Sequence, residues 1–117
     1  MHDGFSIEHS EDMKTTPVLT LKGRLDAAGA QMLREECAEL REQGVKLLAV
    51  SLADITFVAS SGLGTFLLIN DEFKNQDRKI VFVGVGSNIM QVIRLLNLEQ
   101  FLDIRQSLED VFTASRG

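Results

Sequence analysis

Two adjacent hydroxyls, Ser60 and Ser61, stand before Gly62, Leu63 and Gly64 inside an uncharged run from Ile55 to Asn70. A hydroxyl can accept a phosphoryl group, attack an ester as a nucleophile, or cap a helix. Phosphate acceptance suits a place where a strand turns into a helix. The first turn of a helix leaves backbone N–H groups without intrahelical partners, and its dipole favours negative charge there. A phosphate on Ser60 or Ser61 could therefore accept N–H bonds without a cluster of arginines. Gly62 and Gly64 would let a phosphate or a partner come close to the backbone. The plainer reading of the same residues is ordinary N-capping by one serine, with glycines that only permit helix–strand packing.

Nucleophilic chemistry has less support. A nucleophile elbow needs Gly-x-Ser-x-Gly, and Val58 occupies the first glycine position. A triad also needs a positioned histidine. The two histidines are His2, near the terminus, and His9, in or just after the first strand with a solvated side chain. A small serine hydrolase is thus an alternative of another class, and the main expectation is a protein that is not an enzyme. Gly84-Val85-Gly86-Ser87 lacks both the third glycine of a dinucleotide fingerprint, since position 89 is Ile, and the lysine of a P-loop. It reads as a tight turn with Ser87 as N-cap. Asp26 and Asp54 could form a carboxylate pair, but a cap for Asp26 and a loop acid for Asp54 are the simpler assignments. Cys37 falls on an apolar helix stripe as a small buried hydrophobe. No metal-ligand cluster or cofactor motif is present.

The serine turn must be carried by a strand and a helix, and the pattern supplies both. Phe5 to Glu8 alternates, and Val18 to Lys22 resumes after a polar loop through Ser10 to Thr16; these read as neighbouring strands, with Pro17 at the start of the second. Asp26 then caps a helix whose inward face is Ala30, Leu33, Cys37 and Leu40, with Met32 outside that stripe and Gly44 as the stop. Leu47–Val50 and Ile80–Val83 read as strands covered on both faces. Between them a helix begins at Ser60 or Ser61 and turns Leu63, Phe66, Leu67 and Phe73 inward. A third helix from Ser87 buries Met90, Ile93 and Leu96. Phe101–Ile104 reads as a last short strand, and Ser107-Leu108-Glu109-Asp110 as a capping box for a final helix with Leu108, Val111 and Phe112. The order ββαβαβα, then βα, specifies a sheet with helices packed on it.

The chain has 117 residues, enough for one core without disulfides and too few for a second domain. Its 44% apolar and 25% charged fractions exclude disorder and fibrous repeats. A net charge of −5 disfavours nucleic acid or an anionic membrane as partner. No signal peptide is visible, and the uncharged run falls short of the roughly 18 residues of a membrane span. One cysteine excludes an internal disulfide and fits a reducing cytoplasm.

Phe57-Val58-Ala59-Ser60-Ser61-Gly62-Leu63-Gly64, together with Gly23-Arg24-Leu25-Asp26, resembles the STAS domain of bacterial anti-sigma factor antagonists over nearly the whole chain. The resemblance implies an α/β fold: a mixed four- to five-stranded sheet with about four α-helices packed largely on one side, in one domain spanning 1–117. It further implies a cytoplasmic protein that, unphosphorylated, binds an anti-sigma factor serine kinase so that the sigma factor is released. Phosphorylation at Ser60, with Ser61 as second choice, would switch it off, and a PP2C-type phosphatase would restore it. Partner binding would fall on Asp26, Ser60, Ser61, Gly62, Leu63 and Gly64. Ala59 departs from the pattern, which places an Asp before the phosphoserine. Within the fold, the alternative is a STAS docking subunit of another assembly, such as lipid transport, without a phosphate cycle. Nucleotide binding at the Gly84 turn is a secondary possibility that the resemblance brings.

Overall fold

The computed structural model describes residues 4–11, 16–107 and 109–110. Its elements are β1 (Phe5–Glu11), β2 (Pro17–Leu25), α1 (Ala27–Glu42), β3 (Leu47–Val58), α2 (Ser60–Lys74), β4 (Lys79–Val83), α3 (Ser87–Leu95), a 3-10 turn over Leu98–Gln100, and β5 (Ile104–Arg105). The five strands lie in sequence order across one sheet. β1 is antiparallel to β2, and every later pair is parallel. Each parallel step moves one strand in the same direction through a helical crossover. Because such crossovers are right-handed, all three helices must land on the same face.

The core reflects that rule. One cluster joins Leu33 and Cys37 of α1, Phe66, Ile69 and Phe73 of α2, and Ile89 and Ile93 of α3 to Leu21, Leu48, Val50, Ile80 and Phe82 of the sheet. Phe66 packs on Phe82 with ring centroids 4.9 Å apart. The opposite face holds a smaller cluster of strand residues, Val18, Ala49, Val81 and Val83. Of the apolar runs, 48–50 and 80–83 are buried on both faces for this reason, and Leu47 is partly buried. No described helix is long and apolar enough to cross a membrane.

Several elements depart from the reading of the sequence. β3 runs eight residues past Val50, so Asp54 is a strand residue and not a loop acid. The parallel ladder shifts register between Thr20 and Lys22 and again between Gly23 and Arg24, each time with an extra residue in β3. The inward residues of that half, Leu52, Ile55 and Val58, are therefore spaced by three and show no alternation. β1 likewise extends to Glu11, into the expected loop. α3 is capped by the extended Gly86, with Ser87 as its first residue, and it buries Ile89 and Ile93 while Leu96 is exposed. The last strand is Ile104–Arg105, preceded by a turn at Phe101 and Leu102. The described residues contain three α-helices and the start of a further helical segment at Glu109–Asp110, where Asp110 N–H donates to Ser107 Oγ. Leu108, Val111 and Phe112 lie outside the described residues.

Candidate functional site: the paired helix starts

β2 and β3 end side by side, with Leu25 opposite Val58. Just beyond, the Ala59 N–H donates to Leu25 O at 2.9 Å. That bond sets the starts of α1 and α2 next to each other at one end of the sheet. Asp26 stands at one and Ser60 at the other. Asp26 is extended, and its Oδ1 accepts the Gly29 N–H at 2.9 Å, the N-cap expected of it. Its carboxylate is thereby tied to its own helix.

α2 begins differently. Ala59 occupies the cap position in extended conformation with no side chain to offer, and the first turn carries no acid. Ala59 O accepts from both Gly62 and Leu63 N–H. The N–H groups of Ser60 and Ser61 precede any possible intrahelical acceptor. Ser60, Ser61 and Gly64 are exposed, Gly62 and Leu63 buried, and Asp26 half-buried. The two glycines therefore differ in role. A Cβ on Gly62 would stand 2.9 Å from side-chain carbons of both Leu25 and Val58, whereas one on Gly64 would meet nothing within 4 Å. Gly62 lets α2 sit down on the two strand ends; Gly64 leaves the backbone open outward.

Sequence reasoning missed the flank of this turn. Phe57 and Val92 are large apolar residues left 40% and 42% exposed. With Thr56, Leu63, Asn88 and Ile89 they line a cavity of about 170 Å³ between the end of β3, α2 and α3. Leu63 thus reaches the cavity from beneath. The Arg24 guanidinium lies 4.4 Å from the Phe57 ring centroid, and Thr56 Oγ donates to Gly23 O. The second β3 bulge re-aims Phe57, and only the ladder reveals a bulge. Gly23 itself, at φ +93, has no room for a Cβ, which would fall 1.9 Å from Gly4 O.

Other candidate groups lie elsewhere. His9 is opposite Leu19, six residues from Leu25 along β2, roughly 20 Å from the serine turn. Its Nε2 pairs with Glu36 at 2.9 Å, so among the described residues no histidine serves Ser60 as a base. Asp54 sits opposite Lys22, about 13 Å along the strand from Asp26. The two carboxylates do not meet. Lys22 pairs with Glu8 at 2.7 Å, and hydrogen bonding and attraction from Glu8, helped by Asp54, hold its ammonium above the usual lysine range. Cys37 is buried, and burial pushes its thiol up to about 12, which makes it inert. Gly84, at φ +66, closes a turn against Ala53.

A mixed five-stranded sheet with its helices on one face, and a second helix that starts at an exposed serine, define a class of α/β domain. Residues 5–111 match the STAS domain family, and the chain belongs to it. It is similar to the anti-sigma-B factor antagonist of Bacillus subtilis (strain 168), 26% identical over 91 residues that cover 78% of this chain and 83% of the relative. Its fold is shared by the crystal structure of an anti-sigma factor antagonist from Mycobacterium paratuberculosis (TM-score 0.83, 20% identity, 100% and 98% of the two chains). It is also shared by the Bacillus cell fate determinant SpoIIAA in its phosphorylated form (TM-score 0.70, 17% identity, 93% and 99% coverage).

Proposed function

We propose that this protein is an anti-sigma factor antagonist, working as one STAS domain over 1–117 in the bacterial cytoplasm. Its unphosphorylated form binds an anti-sigma factor that is also a serine kinase, and phosphorylation of Ser60 ends the binding. A PP2C-type phosphatase reverses the modification. The reading rests on one observation above the rest: Ser60 is exposed at an uncapped helix start, beside a second helix start whose Asp26 is already engaged. The names of the relatives agree with that role.

The switch needs only electrostatics. A partner lying over Asp26, Ser60, Ser61 and Gly64, with an apolar side chain in the cavity floored by Leu63 and walled by Phe57 and Val92, would bury the serine hydroxyl. Gly62 acts from below by seating α2. Phosphorylation adds roughly −1.5 to −2 charge at that point, and desolvating it opposes docking. Within the protein the phosphate is tolerated, because Ser60 and Ser61 N–H are open and Ala59 supplies no competing carboxylate. Ser60 is preferred over Ser61 because it opens the helix next to the Leu25–Ala59 bond.

Ser60→Asp is expected to weaken binding to the cognate anti-sigma factor by at least about tenfold, an order typical of a charge buried without a partner, while Ser60→Ala retains it. Isothermal titration of both variants checks this. Equal affinities would leave a docking protein without a phosphate cycle, and incubation with the kinase and ATP followed by mass spectrometry would locate the phosphate directly.

A further inference from the structure

At the other end of the sheet, between the end of α2, the start of β4 and β5, lies an open groove of about 610 Å³. Its lining contains Lys74, Arg78, Lys79 and Arg105 but only one acid, Asp103. Four of the chain's 12 Lys and Arg thus gather in one concavity, against one of its 17 Asp and Glu. In a chain of net charge −5, that separation singles the groove out.

The walls are held in place. Both Asp103 oxygens are engaged, one by Arg105 Nε at 2.6 Å and one by Lys79 Nζ at 3.0 Å, so the acid orients two cations and cancels only one. Arg78 is anchored by donation to Arg41 O. Asn70 Nδ2 donates to Phe101 O at 2.9 Å and ties the 3-10 turn to α2. Lys74 is exposed at the C-terminus of α2. Three acids stand close by: Asp71 lines an adjoining concavity with Lys74, Glu99 lines another with Arg105, and Asp110 attracts the Arg105 guanidinium. The Phe101 ring stands at the rim, 58% exposed.

We propose that this groove docks an extended acidic peptide segment of a second protein, with carboxylates on the Lys74, Lys79 and Arg105 cations and an apolar side chain against Phe101. The cations are spread over three elements along an open trough, which suits a row of carboxylates better than one compact anion. An exposed aromatic ring near an Arg side chain is typical of a contact centre, and the lysines suit its polar rim. α2 spans its 15 residues at about 1.5 Å each, which puts the groove some 20 Å from Ser60. The two ends can be occupied together, so the segment could hold the protein in an assembly while Ser60 is switched.

The test uses the intact protein and a fluorescein-labelled peptide of about twelve Glu and Asp residues with one central Phe, followed by anisotropy at about 50 and 300 mM salt. The expected result is saturable binding that weakens with salt, and that falls roughly tenfold in Lys74→Glu while Arg24→Glu, an equal charge change at the opposite end, leaves it intact. Lys79→Gln and Phe101→Ala should each weaken it, with circular dichroism confirming the fold. Absence of binding at low salt overturns the proposal, as does equal loss in Arg24→Glu, which would mean a diffuse attraction. Tight binding of pyrophosphate in place of the peptide would overturn it in favour of a small anion. None of these outcomes depends on Ser60.

Discussion

At the scale of single residues, Gly62 and Gly64 carry the sharpest contrast. Both are helical, two positions apart, and identical in chemistry. The missing Cβ of Gly62 is filled by Leu25 and Val58, whereas that of Gly64 faces open space. Gly62→Ala should therefore destabilise the fold by about 1–3 kcal/mol through overpacking, and lift α2 off the strand ends. Gly64→Ala should stabilise it by about 0.5–1 kcal/mol, because an exposed helical glycine gives way to a better helix former. Urea unfolding of the pair, with unchanged m-values, measures both; the same sign in both would contradict this division of roles. The serines could be read from the sequence because Ser before Gly at a strand-to-helix turn is a local pattern. The different duties of the two glycines could not, since the atoms that fill or vacate their Cβ positions come from other strands.

At the scale of elements, α1 and α2 are locked together by Glu72. Its carboxylate lies 3.1 Å from Arg34 and 3.7 Å from Arg41, both on α1. Arg41 is the more buried partner, and its Nη1 has no hydrogen-bond partner, so its charge depends on this attraction. Glu72→Gln is expected to cost about 1–2 kcal/mol, mostly from Arg41, since an exposed pair alone contributes less than about 1 kcal/mol. A double-mutant cycle of Glu72→Gln with Arg41→Met would show a coupling of that order, and one with Arg34→Met a smaller one. Both helices were legible from their apolar stripes. Strand β3 was legible only as far as Val50, because two bulges break the period of two on which a strand is recognised.

At the scale of the whole molecule, stability should be bounded by two groups at opposite pH. Burial opposes ionisation of Asp103, but hydrogen bonds from Arg105 and Lys79 outweigh it and hold the carboxyl below its ordinary 3.8. A folded-state value below the unfolded one adds stability above that pH and loses it as pH falls further. Cys37 acts in the other direction. Burial, aided by Glu36 and Glu72, raises its thiol from 9.0 to about 12, so its contribution is complete below pH 9.0 and is lost as pH rises toward about 12. Thermal melts across pH should show both declines, the acid one reduced in Asp103→Asn and the alkaline one reduced in Cys37→Ala. A profile unchanged in both variants would contradict the assignment. From the sequence alone came the class of fold, the capped start of α1, the serine turn and the family resemblance, because each rests on local spacing and on backbone groups that every helix start shares. Only the tertiary structure decided that the Ala59–Leu25 bond sets the starts of α1 and α2 side by side, that Phe57 and Val92 wall a cavity beside them, and that four cations meet in a groove at the far end. Those placements follow from crossover handedness, strand register and bulges, which join residues far apart in the chain and leave no mark on the spacing of any one segment.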